Sequence, residues 1–295
     1  MAKAGQVRIG VSGWRYEGWR GVFYPDGLRQ KDELSYLARQ FATVEINGTF
    51  YSLQRPESFE AWSSETPADF VFAVKGSRYI THMLRLVKFE QPLANFFASG
   101  VLALGPKLGP ILWQFPPNFR FNAEKLEAFY HLLPRDTEQA ARLARRHDAR
   151  VTGRAFLKPG PKRKLRHAME IRHDSFIAPE FIKLLRKYRI GLVAADTVEW
   201  PLLMDLTSDF VYCRLHGSEE LYASGYDDAA LERWADRLAA WAKGSEHKDG
   251  TRVIDKPAPA RVTRDVYVYF DNDKKVRAPF DAHSLIKKVD RRLGK

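Results

Sequence analysis

Ile190-Gly-Leu-Val-Ala-Ala-Asp196 and, after a short interval, Asp209-Phe-Val-Tyr-Cys-Arg-Leu-His-Gly217 are two β-rich, largely apolar runs that close on a charged or titratable residue. Apolar flanks of this kind belong to strands covered on both faces, as in a parallel sheet packed under helices. Similar runs stand at Gln6 to Trp14, Thr43 to Tyr51, Asp69 to Ile80, Gly109 to Phe115, Leu165 to His173 and Asp265 to Asp273. Between them lie amphipathic stretches at Lys31 to Phe41, Asn122 to Leu133, Pro179 to Tyr188, Ala229 to Ala242 and His283 to Leu293. Their spacing of apolar residues predicts helices, with Asn122 and Asp281 as N-terminal caps. Pro56 to Ser64 and Glu90 to Ser99 are shorter helical candidates, whereas Thr197 to Ser208 has room for little more than a turn. Eight strand-plus-crossover units are the number that closes an α/β, TIM-type (β/α)8 barrel.

The 295 residues suit such a barrel as a single domain spanning 1–295, because no linker separates two halves. A hydrophobic fraction of 45% with 13% aromatic residues excludes disordered and collagen-like classes. Cys213 is the only cysteine, so internal disulfides and thiolate metal clusters are excluded, and its apolar surroundings predict a buried structural thiol. Met1 to Gly5 carries no apolar leader, and no window approaches 18 uninterrupted apolar residues. A cytoplasmic protein without a membrane partner is expected.

Lys and Arg outnumber Asp and Glu by 48 to 36, a formal charge of +12 that favours anionic partners. Arg135 to Arg172 holds twelve bases and four acids, and so carries most of that excess. At its centre, Lys158-Pro-Gly-Pro-Lys-Arg-Lys164 follows a helical stretch near Gln139 to His147 and reads as an exposed loop. We therefore expect a basic insertion at about 134–164 before the fifth strand, and a charged, Pro-containing one at about 244–264 before the eighth. The basic segment suits nucleic-acid phosphates. It also suits a merely solvated surface, since Phe156 is the one aromatic residue interleaved with its bases.

Side chains near the C-terminal ends of barrel strands line the usual site of chemistry in this fold. In Ala168-Met-Glu-Ile-Arg172, apolar Met169 and Ile171 facing the helices turn Glu170 and Arg172 inward. The same parity turns Arg214 and His216 inward in Tyr212-Cys-Arg-Leu-His216, and Glu45, Asn47 and Thr49 after Val44 and Ile46. Lys75, Gln114, Asp196 and Asp271 follow from Phe72-Ala-Val-Lys75, Leu112-Trp-Gln114, Ala194-Ala-Asp196 and Tyr269-Phe-Asp271. Isolated buried charges are costly, so the acids Glu45, Glu170, Asp196 and Asp271 must pair with Lys75, Arg172 and Arg214 or with a ligand. One reading is an electropositive pocket in which Lys75, Arg172, Arg214 and His216 hold an anion while Glu170 or Asp196 acts as general base and His216 as general acid. The other is an ionic network that simply closes the barrel top.

Loops after the strands hold Trp14, Tyr16, Trp19, Phe23, Tyr24, Phe50, Tyr51, Phe115 and Phe119, which either stack on a substrate or roof the core. Trp14 and Tyr51 are the candidates for substrate contact. His82 and His173 read as helix caps or core hydrogen-bonding groups. The sequence holds no P-loop, no Gly-x-Gly-x-x-Gly after the first strand, no nucleophile elbow and no His-Glu-x-x-His helix. No cofactor is expected. A divalent metal held by Glu45, Glu170, Asp196 and His216 is disfavoured by the interleaved Arg172 and Arg214, whose charge repels it.

These strand ends also carry a resemblance. Ile9-Gly-Val-Ser-Gly-Trp14, Val44-Glu-Ile-Asn-Gly-Thr-Phe-Tyr51, Phe72-Ala-Val-Lys75 with Ile80-Thr-His82, Trp113-Gln-Phe-Pro-Pro117, Met169-Glu-Ile-Arg-His173, Val211-Tyr-Cys-Arg-Leu-His-Gly217 and Tyr267-Val-Tyr-Phe270 occur in that order. Together they resemble the domain-of-unknown-function 72 (YecE-like) family. The resemblance implies a TIM-type barrel and supplies no reaction. Phe176 stands where a tryptophan is common in the family, Asp271 where an asparagine is common, and 244–264 is longer than the usual connection.

The function expected from these residues is that of a hydrolase or lyase acting on a small anionic substrate, phosphorylated, nucleotide-like or sugar-like, at the barrel mouth. Lys75, Arg172, Arg214, Glu45, Asn47, Gln114, Trp14, Tyr51 and Asp271 would contact it. Two other readings are a nucleic-acid-binding or processing protein using 135–172, and a non-catalytic ligand-binding scaffold.

Overall fold

A computed structural model describes residues 4–217, 221, 224–272 and 275–295. Asp273, the expected end of the last strand, lies outside the described residues, as do Met1 to Lys3. In chain order the elements are β1 (Val7–Ser12), α1 (Glu33–Gln40), β2 (Thr43–Ile46), α2 (Gly48–Tyr51), α3 (Pro56–Ser64), β3 (Val71–Lys75), α4 (Glu90–Ala98), β4 (Leu108–Gln114), α5 (Ala123–Leu132) and α6 (Thr137–Ala144). There follow β5 (His167–Glu170), α7 (Pro179–Tyr188), β6 (Gly191–Asp196), β7 (Phe210–Leu215), α8 (Asp228–Ala242), β8 (Asp265–Phe270) and α9 (Ala278–Leu293).

The strands pair in sequence order into a closed parallel barrel, β8 returning to β1. The TIM-type barrel expected from the strand count is therefore what the chain forms. Asn122 caps α5, its side chain accepting from Lys125 N at 2.9 Å. Asp281, by contrast, is not a cap. Pro279 lies in the first turn of α9, where a preset φ favours helix entry, so the helix starts before Asp281. The Asp281 carboxylate instead accepts from Asn272 Nδ2 at 2.8 Å and Tyr226 N at 3.2 Å. The crossover from β6 to β7 holds no helix among its described residues.

Inside the barrel, Ala73, Leu112, Ala168, Val193, Ala195, Phe210, Tyr212, Tyr267 and Tyr269 form one buried cluster. Alanines on β3, β5 and β6 leave the volume that the aromatic rings of β7 and β8 fill, which is how a barrel interior reaches close packing. The outward residues Val44, Ile46, Phe72, Val74, Met169, Val211 and Cys213 join the larger core beneath the helices. Cys213 is fully buried, and burial pushes its thiol far above the usual range, which leaves it inert.

Two glycines shape the mouth. A Cβ on Gly76, which follows β3, would lie 2.3 Å from Trp113 Cε3, so a bare backbone is needed for the indole to pack there. Gly13 turns the chain away from β1 at φ 86, in the left-handed region that glycine adopts without strain.

The basic segment divides. Lys164 and Arg166 pair with Asp209 at 2.6 and 3.7 Å, and Arg166 with Asp265 at 2.8 Å. Asp209 precedes β7 and Asp265 opens β8, so these bases sit at the N-terminal end of the barrel, opposite the mouth. Lys162 pairs with Glu138 at 3.1 Å. Arg150, in contrast, lies over the Tyr79 ring beside the mouth. Among the described residues, no helix is long and apolar enough to cross a membrane.

Candidate functional site

Two layers stack at the C-terminal end of the barrel. The lower one is built around Arg214, a fully buried guanidinium near the end of β7. Its Nη1 donates to Glu170 at 2.8 Å, and its Nη2 to Glu45 at 3.0 Å, Asp271 at 2.6 Å and Ser12 at 3.2 Å. Glu45 also accepts from the Ser12 hydroxyl at 2.8 Å and the Tyr212 hydroxyl at 2.6 Å. Arg172 approaches Glu170 from above, with Nη2 at 2.7 Å, and lies 3.8 Å from the centre of the Trp200 ring. Burial pushes the Glu170 carboxyl up, but Arg214 and Arg172 more than offset this and hold it well below the usual carboxylate range. The same opposition, led for the charges by Arg214, keeps Asp271 ionised. His216 is buried 3.2 Å from Asp271, and burial lowers its pKa despite that carboxylate.

Above this network opens a cavity of about 850 Å³. The connections after β1, β2 and β3 supply Trp14, Arg15, Tyr16, Asn47, Arg78 and His82, with Phe50 and Tyr51 from α2, while Lys75, Gln114, Arg172 and Asp271 rise from or just past strand ends. Trp14 is clamped by the Tyr24 hydroxyl, which donates to its carbonyl at 2.6 Å, and meets Trp62 edge-on at 5.3 Å. Trp19, Phe23 and Tyr24 are buried and roof the core, whereas Tyr51 is 69% exposed at the rim.

Lys75 ends β3 only 8% exposed, with its ammonium 4.4 Å from the centre of the Phe50 ring. Its carbonyl accepts from the Thr49 hydroxyl at 2.7 Å, whereas its ammonium makes no hydrogen bond or ion pair among the described residues. Burial, reinforced by Arg214 and moderated by Glu45, Asp271 and Glu170, lowers its pKa to about 8. His82 sits in a π-helical turn, Tyr79–Met83, of a kind that often marks functional sites. Its pKa falls to about 4 through burial and the nearby charges of Arg172, Lys75 and Arg78. Burial is the larger cause, and the three cations add to it.

The geometry sorts the residues expected from the sequence. Lys75, Arg172, Asn47, Gln114, Trp14, Tyr51 and Asp271 line the cavity. Glu45, Glu170, Arg214 and His216 converge directly below it and are fully buried. Asp196 is a correction. Ala195 lies beside inward-facing Arg214, so Asp196 has the opposite parity, and Trp234 Nε1 of α8 donates to its carboxylate at 2.8 Å. It cannot serve as a base at the mouth. Ser12 takes the place at β1 that no charged residue marked. Arg15, Arg78 and Trp62 were missed because they stand on loops or helices, where no parity rule applies. His173 caps the turn at Asp174, its ring accepting from Ser175 N at 3.0 Å. Among the described residues no group of three His, Cys, Asp or Glu side chains is arranged to hold a metal. The set considered above is parted, with Glu45 and Glu170 wrapped around Arg214 and Asp196 turned outward.

The sequence profile described as "Protein of unknown function DUF72" matches residues 8–295. The chain belongs to the DUF72 family. It is similar to the UPF0759 protein YunF of Bacillus subtilis, 32% identical over 126 residues, or 41% of this chain and 43% of that protein. Similarity to the UPF0759 protein YecE of Escherichia coli K12 is 30% over 127 residues, 43% of each chain. The match thus spans less than half the length of these relatives. A DUF72 family protein from Thermotoga maritima superposes with a TM-score of 0.71 at 24% identity, covering 97% of this chain and 99% of that one. One from Enterococcus faecalis reaches 0.68 at 16% identity, covering 97% and 96%. At these identities the family's solved structures speak for the barrel alone.

Proposed function

We propose that this barrel is an enzyme of the hydrolase or lyase type that binds a small anion, a phosphate ester or a carboxylate, in its mouth cavity. The observation that carries the reading is the charge of the lining. Arg15, Lys75, Arg78 and Arg172 face Asp271, the one carboxylate among the described lining residues, which shares Arg214 with Glu45 and Glu170 below. A volume of about 850 Å³ suits a ligand of sugar or nucleotide size. Trp14, Phe50 and Tyr51 offer ring faces for its uncharged part.

The two readings of the strand-end charges then apply to different layers. Glu45, Glu170, Arg214 and His216 form a buried network that Arg172 completes from above, in which Glu170 positions Arg172 and Arg214 rather than accepting a proton. Lys75, Arg15 and Arg78 present their charges to the cavity, and Arg172 does so while paired with Glu170. The reading routes no step through a metal. The nucleic-acid alternative gains little support, because Lys162, Lys164 and Arg166 are matched by acids, the last two opposite the mouth.

Calorimetric titration with inorganic phosphate, pyruvate and a hexose phosphate tests the proposal. Saturable binding is expected, weakened roughly tenfold in Arg78→Ala, as for loss of one charged hydrogen bond. Absence of binding by all three at millimolar concentration would sink it.

A further inference from the structure

Anion binding alone does not account for Lys75. An arginine would hold an anion in two directions and keep its charge in any surroundings, as Arg172 does above Glu170. A lysine set within the same positive lining is instead driven towards the neutral amine, whose lone pair is a nucleophile. The network beneath makes this possible. Glu45, Glu170 and Asp271 are all engaged by Arg214, so none is left to hold the Lys75 ammonium. The amine rests against the face of Phe50, largely withdrawn from water, at the edge of the cavity. At pH 7.5 about a quarter of a group titrating near 8 is neutral, against about one in a thousand for a solvated lysine.

We propose that Lys75 is a covalent catalytic residue whose amine condenses with the aldehyde or keto group of an anionic substrate to form an imine. This rests on the anion-binding reading and narrows its substrate to a carbonyl compound bearing a carboxylate or phosphate. The lysine nitrogen attacks the carbonyl carbon, and its two displaced protons leave with the carbonyl oxygen as water. The product is a neutral carbon–nitrogen double bond, which a proton taken up from solvent converts to the iminium. No oxidant or reductant is consumed. Arg172 and Arg78 would take the anionic group. His82 packs edge-on to the same Phe50 ring at 5.0 Å and lines the cavity beside the amine's support. An imine withdraws electrons from the adjacent carbon, which is the chemistry that a lyase cleaving or dehydrating beside a carbonyl requires.

The test is reductive trapping in the intact protein. Glyoxylate, pyruvate and glycolaldehyde phosphate are each incubated with it and sodium cyanoborohydride, with uncharged glycolaldehyde as control, and adducts are mapped by peptide mass spectrometry. At least one anionic carbonyl should label Lys75 ten or more times faster than the surface lysines, with a rate rising through about pH 8. Lys75→Arg should abolish that adduct. If phosphate or pyruvate binds calorimetrically but label spreads evenly over lysines, the imine is overturned and the anion pocket stands. Failure of every anion both to bind and to label overturns the two together. Equal labelling of Lys75 by uncharged glycolaldehyde overturns the assignment of an anionic carbonyl.

Discussion

Arg214→Met removes the cation on which the buried Glu45 and Glu170 and the partly exposed Asp271 converge, and its consequences can be worked from the geometry. Glu170 keeps Arg172 at 2.7 Å, and Glu45 keeps hydroxyls from Ser12 and Tyr212 at 2.8 and 2.6 Å. Among the described residues Asp271 keeps His216 at 3.2 Å, whose burial favours the neutral ring, and the more distant charge of Lys75. Breaking a buried pair by deleting one partner costs about 3–5 kcal/mol. Against a total stability of about 5–15 kcal/mol, the loss is large yet leaves a measurable native state in the upper part of that range. The pH dependence carries the sharper signature. In the parent, Glu170 and Asp271 titrate below their unfolded values, so their contribution is complete above about pH 4 and is lost only as pH falls through the folded values. They add no slope between pH 8 and 5. In the variant, burial without Arg214 raises Asp271 above its unfolded value, so the folded state takes up a proton first and gains stability as pH falls. The stability difference between variant and parent should therefore shrink from pH 8 to pH 5. Urea unfolding followed by tryptophan fluorescence at pH 8, 6.5 and 5 measures it. A loss below about 1 kcal/mol, or a difference independent of pH, would refute the account of Arg214 as the clamp.

Three further outcomes follow from the same geometry. Lys75→Met should stabilise the protein by about 3 kcal/mol below pH 8, because depression of this buried amine from 10.5 to about 8 is a cost borne by the folded state. That cost fades between about pH 8 and 10.5, where the folded parent releases its proton before the unfolded chain does, so thermal unfolding at pH 7 and 10.5 should show the gain shrinking. His82 should titrate near 4 in the free protein and move upward when phosphate is added, since a bound anion offsets the charges of Arg172, Lys75 and Arg78; ring-proton NMR reads this directly. Asp196→Ala should cost about 1–3 kcal/mol by stranding the Trp234 indole N–H, and calorimetry should find phosphate affinity unchanged.

Much of the mouth was legible along the chain because several strands alternate visibly. In Met169-Glu-Ile and Val44-Glu-Ile, an acid between two apolar residues announces which face is which, and the structure places Glu170 and Glu45 together under Arg214. The error at Asp196 arose where that signal fails. Leu192, Val193, Ala194 and Ala195 are all apolar and buried, as expected of a parallel strand covered on both faces, so they carry no parity of their own. Only the pairing of Ala195 with Arg214 decides it.

The sequence by itself determined the number of strands, their closure into a barrel and most of the charged residues gathered at one end, because apolar periodicity is a local property of the chain. Which acid engages which base, why Lys75 is left over, and how Arg15 and Arg78 swing from loops into the same space were decided by the tertiary structure alone. Those outcomes depend on distances of a few ångströms between residues far apart in the chain, such as Ser12 and Arg214, 202 positions apart, and nothing in linear order encodes such distances.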